Sequence, residues 1–253
     1  MRFVEMRGTF RPEGDIATPE LSPGEAHVWI VRLDALHGHA EAAADILDEA
    51  ERARARNFRF DRDRLLYRLG RATLRRLLSA YLGIEPADVP LRTGLHGKPE
   101  LGAPFDTPPL HFNVSHSGDL ALYAVTRDGP VGIDVEQMRP IPDLQGVAEL
   151  VLSPLERTAF SSLDTGRRQA FFHEAWARKE AYLKALGDGL MRPPTSIEFG
   201  ALLGEPGEAI RDREDEAASR RWRVTAWQPE PGYWAALAAP AFTESIALFE
   251  SVE

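Results

Sequence analysis

Twice along these 253 residues a long amphipathic helical pattern, stopped by glycine, is followed by two short β-rich runs joined by a turn. That repetition constrains the fold more than any other feature. The first helical pattern covers residues 62–82. Leu65, Leu69 and Ala72 form one apolar line, Leu74, Leu78 and Tyr81 continue it, and Gly83 supplies the stop. Residues 110–115 and 120–126 are the β runs that follow. The second helical pattern covers 168–186, with Phe172, Trp176, Leu183 and Leu186 on its apolar side and Gly187 at its end. Residues 222–228 and 233–238 then flank Pro229-Glu230-Pro231-Gly232, a hairpin signal. Helices and an antiparallel hairpin in each half place the chain in the α+β class. The division falls near 130, giving an N-terminal half of residues 1–130 and a C-terminal half of residues 131–253. The halves share a pattern, without evident sequence self-similarity.

Smaller signals fill in the frame. Residues 27–34, HVWIVRLD, alternate as a strand, a helical stretch follows over about 40–56, and 131–136 is a further strand. Ser153-Pro154-Leu155-Glu156 predicts a helix start, with serine as N-cap, proline in the first turn and glutamate at the capping-box position. Residues 1–25 are expected to be a loose arm, 92–109 a turn-rich stretch, and 203–220 a solvated loop.

Net charge is −9, which argues against a general polyanion binder and against a nucleic-acid module. The distribution is uneven. Residues 52–76 hold ten arginines against Asp61 and Asp63, a net +8. Arg64, Arg68, Arg71 and Arg75 recur at three- and four-residue spacing, which predicts one basic helix face. The same pattern suits a solvated arginine-rich helix. There is no cysteine, so disulfides, thiolate metal sites and cysteine nucleophiles are excluded. The opening MRFVEMRGTFRPEGD has no apolar signal core, and no run approaches the roughly 20 apolar residues that span a bilayer. The expected location is the cytoplasm, with no membrane partner.

The residues suited to chemistry cluster late in the chain. In Gly132-Ile133-Asp134-Val135-Glu136 the carboxylates lie two apart, so a strand turns both to one face while Ile133 and Val135 pack on the other. A few converging carboxylates suit a hard cation such as Mg²⁺, and equally a polar outer strand face. Glu180 and Lys184 are one helical turn apart, an ordinary ion-pair spacing. Glu180 also lies only about 40° around the helix from Trp176, at the edge of the buried side, where it could complete a metal site. Asn113-Val114-Ser115-His116-Ser117 reads as hydroxyl and imidazole groups in a turn after a strand. No G-x-S-x-G elbow, P-loop, GxGxxG or HExxH pattern is present, which sets aside the common hydrolase, nucleotide-fold and zinc-protease readings.

In order, HGKPEL at 96–101, FNVSHSGD at 112–119, GIDVE at 132–136 and FFHEAWARKEAYLKALGDGL at 171–190 resemble the Sfp-type 4'-phosphopantetheinyl transferase superfamily. The similarity spans roughly 60–186. It implies two similar α+β halves around a pseudo-twofold axis, with coenzyme A in the cleft between them. By motif position, Asp134, Glu136 and Glu180 would hold Mg²⁺, and Lys184 would bind the pyrophosphate. Lys98, Ser115 and His116 would hold the adenosine 3'-phosphate end, with Arg64, Arg71 and Arg54 as further candidates; Leu66 stands where relatives often carry a basic residue. Glu156 matches a family glutamate proposed to help deprotonate the acceptor. The reaction implied is transfer of 4'-phosphopantetheine to a serine of an apo acyl or peptidyl carrier protein, releasing 3',5'-ADP. The resemblance further implies a monomer. Trp176 is expected in the core, and Lys179 in a salt bridge or in solvent. Another Mg²⁺-dependent phosphoryl or nucleotidyl enzyme, or a non-catalytic CoA-binding relative, would share parts of this pattern.

Overall fold

β2 (Glu25–Arg32) opens a first set of elements that a second set repeats in order. In the computed structural model, which describes residues 1–10, 16, 20–94, 97–105, 110–187, 192–200 and 210–251, β2 is followed by α1 (Ala40–Asp45), α2 (Glu49–Arg56) and α3 (Asp61–Leu82). A small antiparallel pair, β3 (Leu91–Thr93) and β4 (Pro99–Leu101), leads to the hairpin of β5 (His111–Ser117) and β6 (Leu120–Thr126). The second set is β7 (Gly132–Gln137), α4 (Leu144–Val151), α5 (Pro154–Ser162) and α6 (Thr165–Leu186). It continues with the pair β8 (Ile197–Phe199) and β9 (Ile210–Asp212), α7 (Ala218–Arg221), and the hairpin of β10 (Trp222–Trp227) and β11 (Tyr233–Pro240). In both sets the opening strand pairs antiparallel with the second strand of the hairpin, β2 with β6 and β7 with β11. The repeat expected from the pattern is therefore present in topology.

α7 has no counterpart in the first set, and two further described strands lie outside both sets. β12 (Ser245–Ser251) runs parallel beside β2, and β1 (Arg2–Phe10) runs parallel beside β12, giving a five-stranded sheet of order β1-β12-β2-β6-β5. The C-terminal strand thus completes the sheet of the first half. The loose arm expected over 1–25 is in part this edge strand, and the loop expected over 203–220 contains β9 and α7; residues 203–209 lie outside the described residues, as do 106–109 of the turn-rich stretch. β1 and β12 have no partner nearby in sequence, so no local signal marks them.

The two sheets stack face to face and each carries its long helix outside. Trp29, Val31, Tyr123 and Val125 point from β2 and β6 onto Leu69, Leu77 and Leu78 of α3. The alternate residues Val28, Ile30, Leu122 and Ala124 meet Ile133, Val135, Ala235 and Leu237 of the other sheet. Trp234, Ala236 and Ala238 then face Ala177, Ala181 and Tyr182 of α6. β6 and β11 are buried along their whole length because both faces are covered. Both long helices end as expected, with Gly83 and Gly187 left-handed at their C-caps. Leu66, 8 % exposed, belongs to the core under α3, so an apolar residue suits it.

Gly132 sets how closely α6 lies on its sheet. A Cβ there would stand 2.0 Å from the Ala181 carbonyl oxygen and 2.5 Å from the Ala185 amide nitrogen, both helix backbone. We expect Gly132→Ala to push α6 off β7, costing about 1–3 kcal/mol or more and lowering Tm by roughly 5–10 °C. A Tm within a degree of wild type would overturn this close contact.

Candidate active site

Gly132, Asp134 and Glu136 share the face of β7 that α6 crosses, because side chains two apart in a strand point the same way. α6 runs antiparallel to β7 over them. Its Ala181–Ala185 turn lies on Gly132, Lys184 meets Asp134, and Trp176 meets Glu136. Asp134 is 3 % exposed. Its Oδ1 accepts from Lys184 Nζ at 2.6 Å and from Ser115 Oγ at 2.9 Å. Glu136 is held at both oxygens: Trp176 Nε1 donates to Oε1 at 3.0 Å and Ser117 Oγ to Oε2 at 3.3 Å. Trp176, expected in the core, is thus also a donor to a site carboxylate.

The electrostatics are unbalanced. Burial pushes the carboxyl groups of Asp134, Glu136 and Glu180 above their ordinary range, and the Asp134 charge raises the other two further. Lys184 pulls all three back down without offsetting the burial. Among the described residues, Asp134 Oδ2 and Glu180 Oε1 are buried with no hydrogen-bond partner. Three carboxylates against one ammonium leave two negative charges, and two orphaned oxygens are free to act as ligands, so the donor set fits a divalent cation. Among the described residues no three such side chains already form a closed metal-binding group; Lys184 is seated on Asp134. Glu136, with Trp176, Phe172, Arg139 and His173, also lines a pocket of about 310 Å³.

The elements of the first half reach the same place. Lys98, just before β4, donates to the Lys184 carbonyl oxygen at 3.1 Å; burial lowers its pKa and the Lys184 charge lowers it further. Ser115, at the end of the expected strand, and Ser117, expected in the turn after it, both lie inside β5: pairing of Ser117 with Leu120 leaves only Gly118 and Asp119 as the turn. Ser115 Oγ donates to Asp134 while accepting from Lys184 Nζ at 3.0 Å and from the Val135 amide at 3.3 Å. That uses its one proton and both lone pairs. His116, its neighbour along the strand, is exposed.

The arginines behave differently. Arg75 is 1 % exposed and bonded to Glu51, Asp48 and the carbonyls of Pro86, Ala87 and Val89. Arg71 pairs with the same Glu51 at 3.4 Å and lies over the Tyr67 ring, as does Arg54. Arg64 is tied to Asp61 and to the Phe58 carbonyl. The arginines of α3 share a face as their spacing predicts, but that face is turned toward α1 and α2, and its most buried arginine is a structural clamp between α2, α3 and the segment after α3. Helical spacing shows that residues share a face, not that the face is solvated.

Glu156 is 1 % exposed. It forms the expected capping box with Ser153 and also accepts from the Phe199 amide at 3.1 Å and pairs with Lys179 Nζ at 2.7 Å. Both its oxygens are engaged inside the protein. Lys179 is 0 % exposed, contrary to the solvated alternative.

A buried carboxylate cluster beside a lysine, at the meeting of two like halves, is suited to an enzyme that handles phosphate groups. Residues 130–238 match the family model of the 4'-phosphopantetheinyl transferase superfamily, and residues 35–127 match the model of the 4'-phosphopantetheinyl transferase N-terminal region. The chain is 36 % identical over 218 residues to the 4'-phosphopantetheinyl transferase HetI of a Nostoc species, covering 86 % of this chain and 89 % of that one. It is 34 % identical over 200 residues to psf-1 of Bacillus pumilus, covering 78 % and 82 %, and 28 % identical over 210 residues to Sfp of Bacillus subtilis, covering 82 % and 89 %. The holo-[acyl-carrier-protein] synthase structure of Thermotoga maritima overlaps 43 % of this chain and 61 % of that one, at 30 % identity and a TM-score of 0.35. The chain belongs to the 4'-phosphopantetheinyl transferase superfamily.

Proposed function

We propose that this chain transfers 4'-phosphopantetheine from coenzyme A to a serine hydroxyl of an apo acyl or peptidyl carrier protein, with Mg²⁺ held by Asp134, Glu136 and Glu180. The observation that carries the reading is the pair of orphaned oxygens on Asp134 and Glu180 in a cluster whose carboxyl groups are all raised by burial. In the transfer, the carrier serine oxygen forms a bond to the β-phosphorus of coenzyme A. The bond from that phosphorus to the bridging oxygen breaks, 3',5'-ADP leaves with the electron pair, and the serine proton is released. Mg²⁺, when bound, neutralises the pyrophosphate oxygens and the charge that grows on the leaving oxygen. Lys184, half-buried on Asp134, supplies a second positive charge on the same face. Lys98 and the exposed His116 face the adenosine 3'-phosphate, while the side chain of Ser115 is given over to Asp134 and Lys184. Arg64 and Arg71 are candidates for that phosphate only on exchange of their present partners. Glu156 braces the fold beneath α6, because its oxygens are already bonded.

Residues of both halves meet at this one site, which supports a monomeric enzyme. A cysteine-free chain, with no helix among its described residues long and apolar enough to cross a membrane, supports action in the cytoplasm. The test is intact mass of apo carrier proteins after incubation with this chain, coenzyme A and Mg²⁺. A phosphopantetheine-sized gain that EDTA prevents is expected; no gain on a panel of fatty-acid, polyketide and peptide carriers would overturn the reading.

Lys184→Ala is expected to raise the KM for coenzyme A about 10- to 100-fold, the loss of one charge-assisted contact, with the KM for the carrier unchanged. An unaltered coenzyme A dependence would remove Lys184 from the pyrophosphate site.

A further inference from the structure

β5 is the edge of the five-stranded sheet and β7 the edge of the three-stranded sheet, and no backbone pairing joins them among the described residues. An antiparallel pair points alternate amides of each strand to opposite sides, so every second N–H of β7 faces away from β11. Those amides belong to Ile133, Val135 and Gln137, and each is taken by a side chain of β5. Ile133 donates to Asn113 Oδ1 at 2.8 Å, Val135 to Ser115 Oγ at 3.3 Å, and Gln137 to Ser117 Oγ at 3.0 Å. The sequence offset is 20 at all three, so the two strands run parallel in one register. The two serines then pass their own protons to the carboxylates one residue back, Ser115 to Asp134 and Ser117 to Glu136.

We propose that Asn113, Ser115 and Ser117 form a side-chain ladder that closes the open edge of β7 and joins the two halves, and that Ser117 is a positioning residue for Glu136. The side chains are short, polar and two residues apart, as a substitute for a backbone ladder requires. Asn113 and Ser115 are buried, so their unmet partners would cost the fold as any buried unpaired amide does. A hydroxyl that accepts from a backbone amide has its remaining proton aimed by that bond. Ser117 therefore fixes the Glu136 carboxylate from one side while Trp176 fixes it from the other. The positioning role rests on the reading of Glu136 as a metal carboxylate; the ladder does not.

Two measurements separate these. Amide hydrogen exchange of the metal-free protein, followed residue by residue by NMR, reads the ladder. Ser117→Ala is expected to speed exchange at Gln137 about five- to tenfold, the loss of one hydrogen bond, with little change at Ile133; Ser117→Thr, which keeps the hydroxyl, is expected to restore protection. Unchanged exchange at Gln137 in Ser117→Ala overturns the ladder. Calorimetric titration with Mn²⁺, without coenzyme A, reads positioning: Ser117→Ala is expected to weaken binding about tenfold, as loss of an outer-shell contact does, and Ser117→Thr to recover it. Faster exchange at Gln137 with unaltered Mn²⁺ affinity overturns the positioning role. Failure of the wild-type protein to bind Mn²⁺ overturns the metal reading and the positioning role with it, while the exchange result, which involves no metal, still decides the ladder.

Discussion

Glu180→Gln is expected to lower the transfer rate at saturating Mg²⁺ at least ~100-fold, the scale on which metal sites respond to changes in their ligands and supporting shell. The substitution keeps the shape of the side chain and removes the charge of a proposed ligand. The fold should not suffer. Glu180 is raised above the ordinary carboxylate range by burial and by the charges of Asp134 and Glu136, so its ionised form is unfavourable in the metal-free protein. Its Oε1 has no hydrogen bond to lose among the described residues. The metal-free variant should therefore melt at or above the wild-type Tm, while the rise in Tm that Mg²⁺ gives the wild type should shrink. Stopped-flow or mass-based transfer rates with thermal melts, each with and without Mg²⁺, check both halves. Full turnover by Glu180→Gln would refute Glu180 as a ligand. A large fall in the metal-free Tm would show instead that Glu180 is a structural residue.

The second large effect concerns Lys179, one residue earlier and turned inward. Its ammonium donates to the carbonyls of Val151 at 3.0 Å, Pro194 at 2.8 Å and Ile197 at 2.6 Å, and pairs with Glu156. One side chain thus ties α6 to the end of α4, to the start of α5 and to the segment entering β8. Burial pushes its pKa down while Glu156 holds it up. Removing one member of a buried pair leaves the other charged and unpaired, which costs about 3–5 kcal/mol. Lys179→Met should accordingly lower Tm by roughly 10–15 °C for a chain of this size. Adding Glu156→Gln, which removes the stranded charge and keeps a capping side chain, should recover part of the loss, a coupling that a double-mutant cycle measures. Below its melting point Lys179→Met should retain most of its transfer activity. A variant with wild-type Tm and little activity would place Lys179 in the chemistry instead.

Much of this site is legible in the chain itself. The alternation of GIDVE puts Gly132, Asp134 and Glu136 on one face and Ile133 and Val135 on the other, as β7 has them. The glycine stops of α3 and α6 and the Ser153–Glu156 capping box are equally local and stand as expected. The strand end expected at Ser115 runs on to Ser117 because Ser-His-Ser-Gly-Asp is turn chemistry by composition, whereas pairing with β6 holds His116 and Ser117 in the ladder. That the arginine face of α3 is partly a clamp escapes the sequence for a related reason. Helical period cannot distinguish an arginine in water from one clamped on Glu51 and Asp48, two residues far back in the chain.

Short-range geometry, readable residue by residue, sets where the helices stop, which way strand residues alternate, and which carboxylates share a face. The rest depended on long-range packing. It brought β12 and β1 onto the first half's sheet, sealed the β7 edge with side chains of β5, and buried Lys179 and Glu156 together beneath α6. Those contacts join residues tens to hundreds of positions apart. Their energy comes from removing apolar surface and polar partners from water together, a condition set only once the two sheets have stacked.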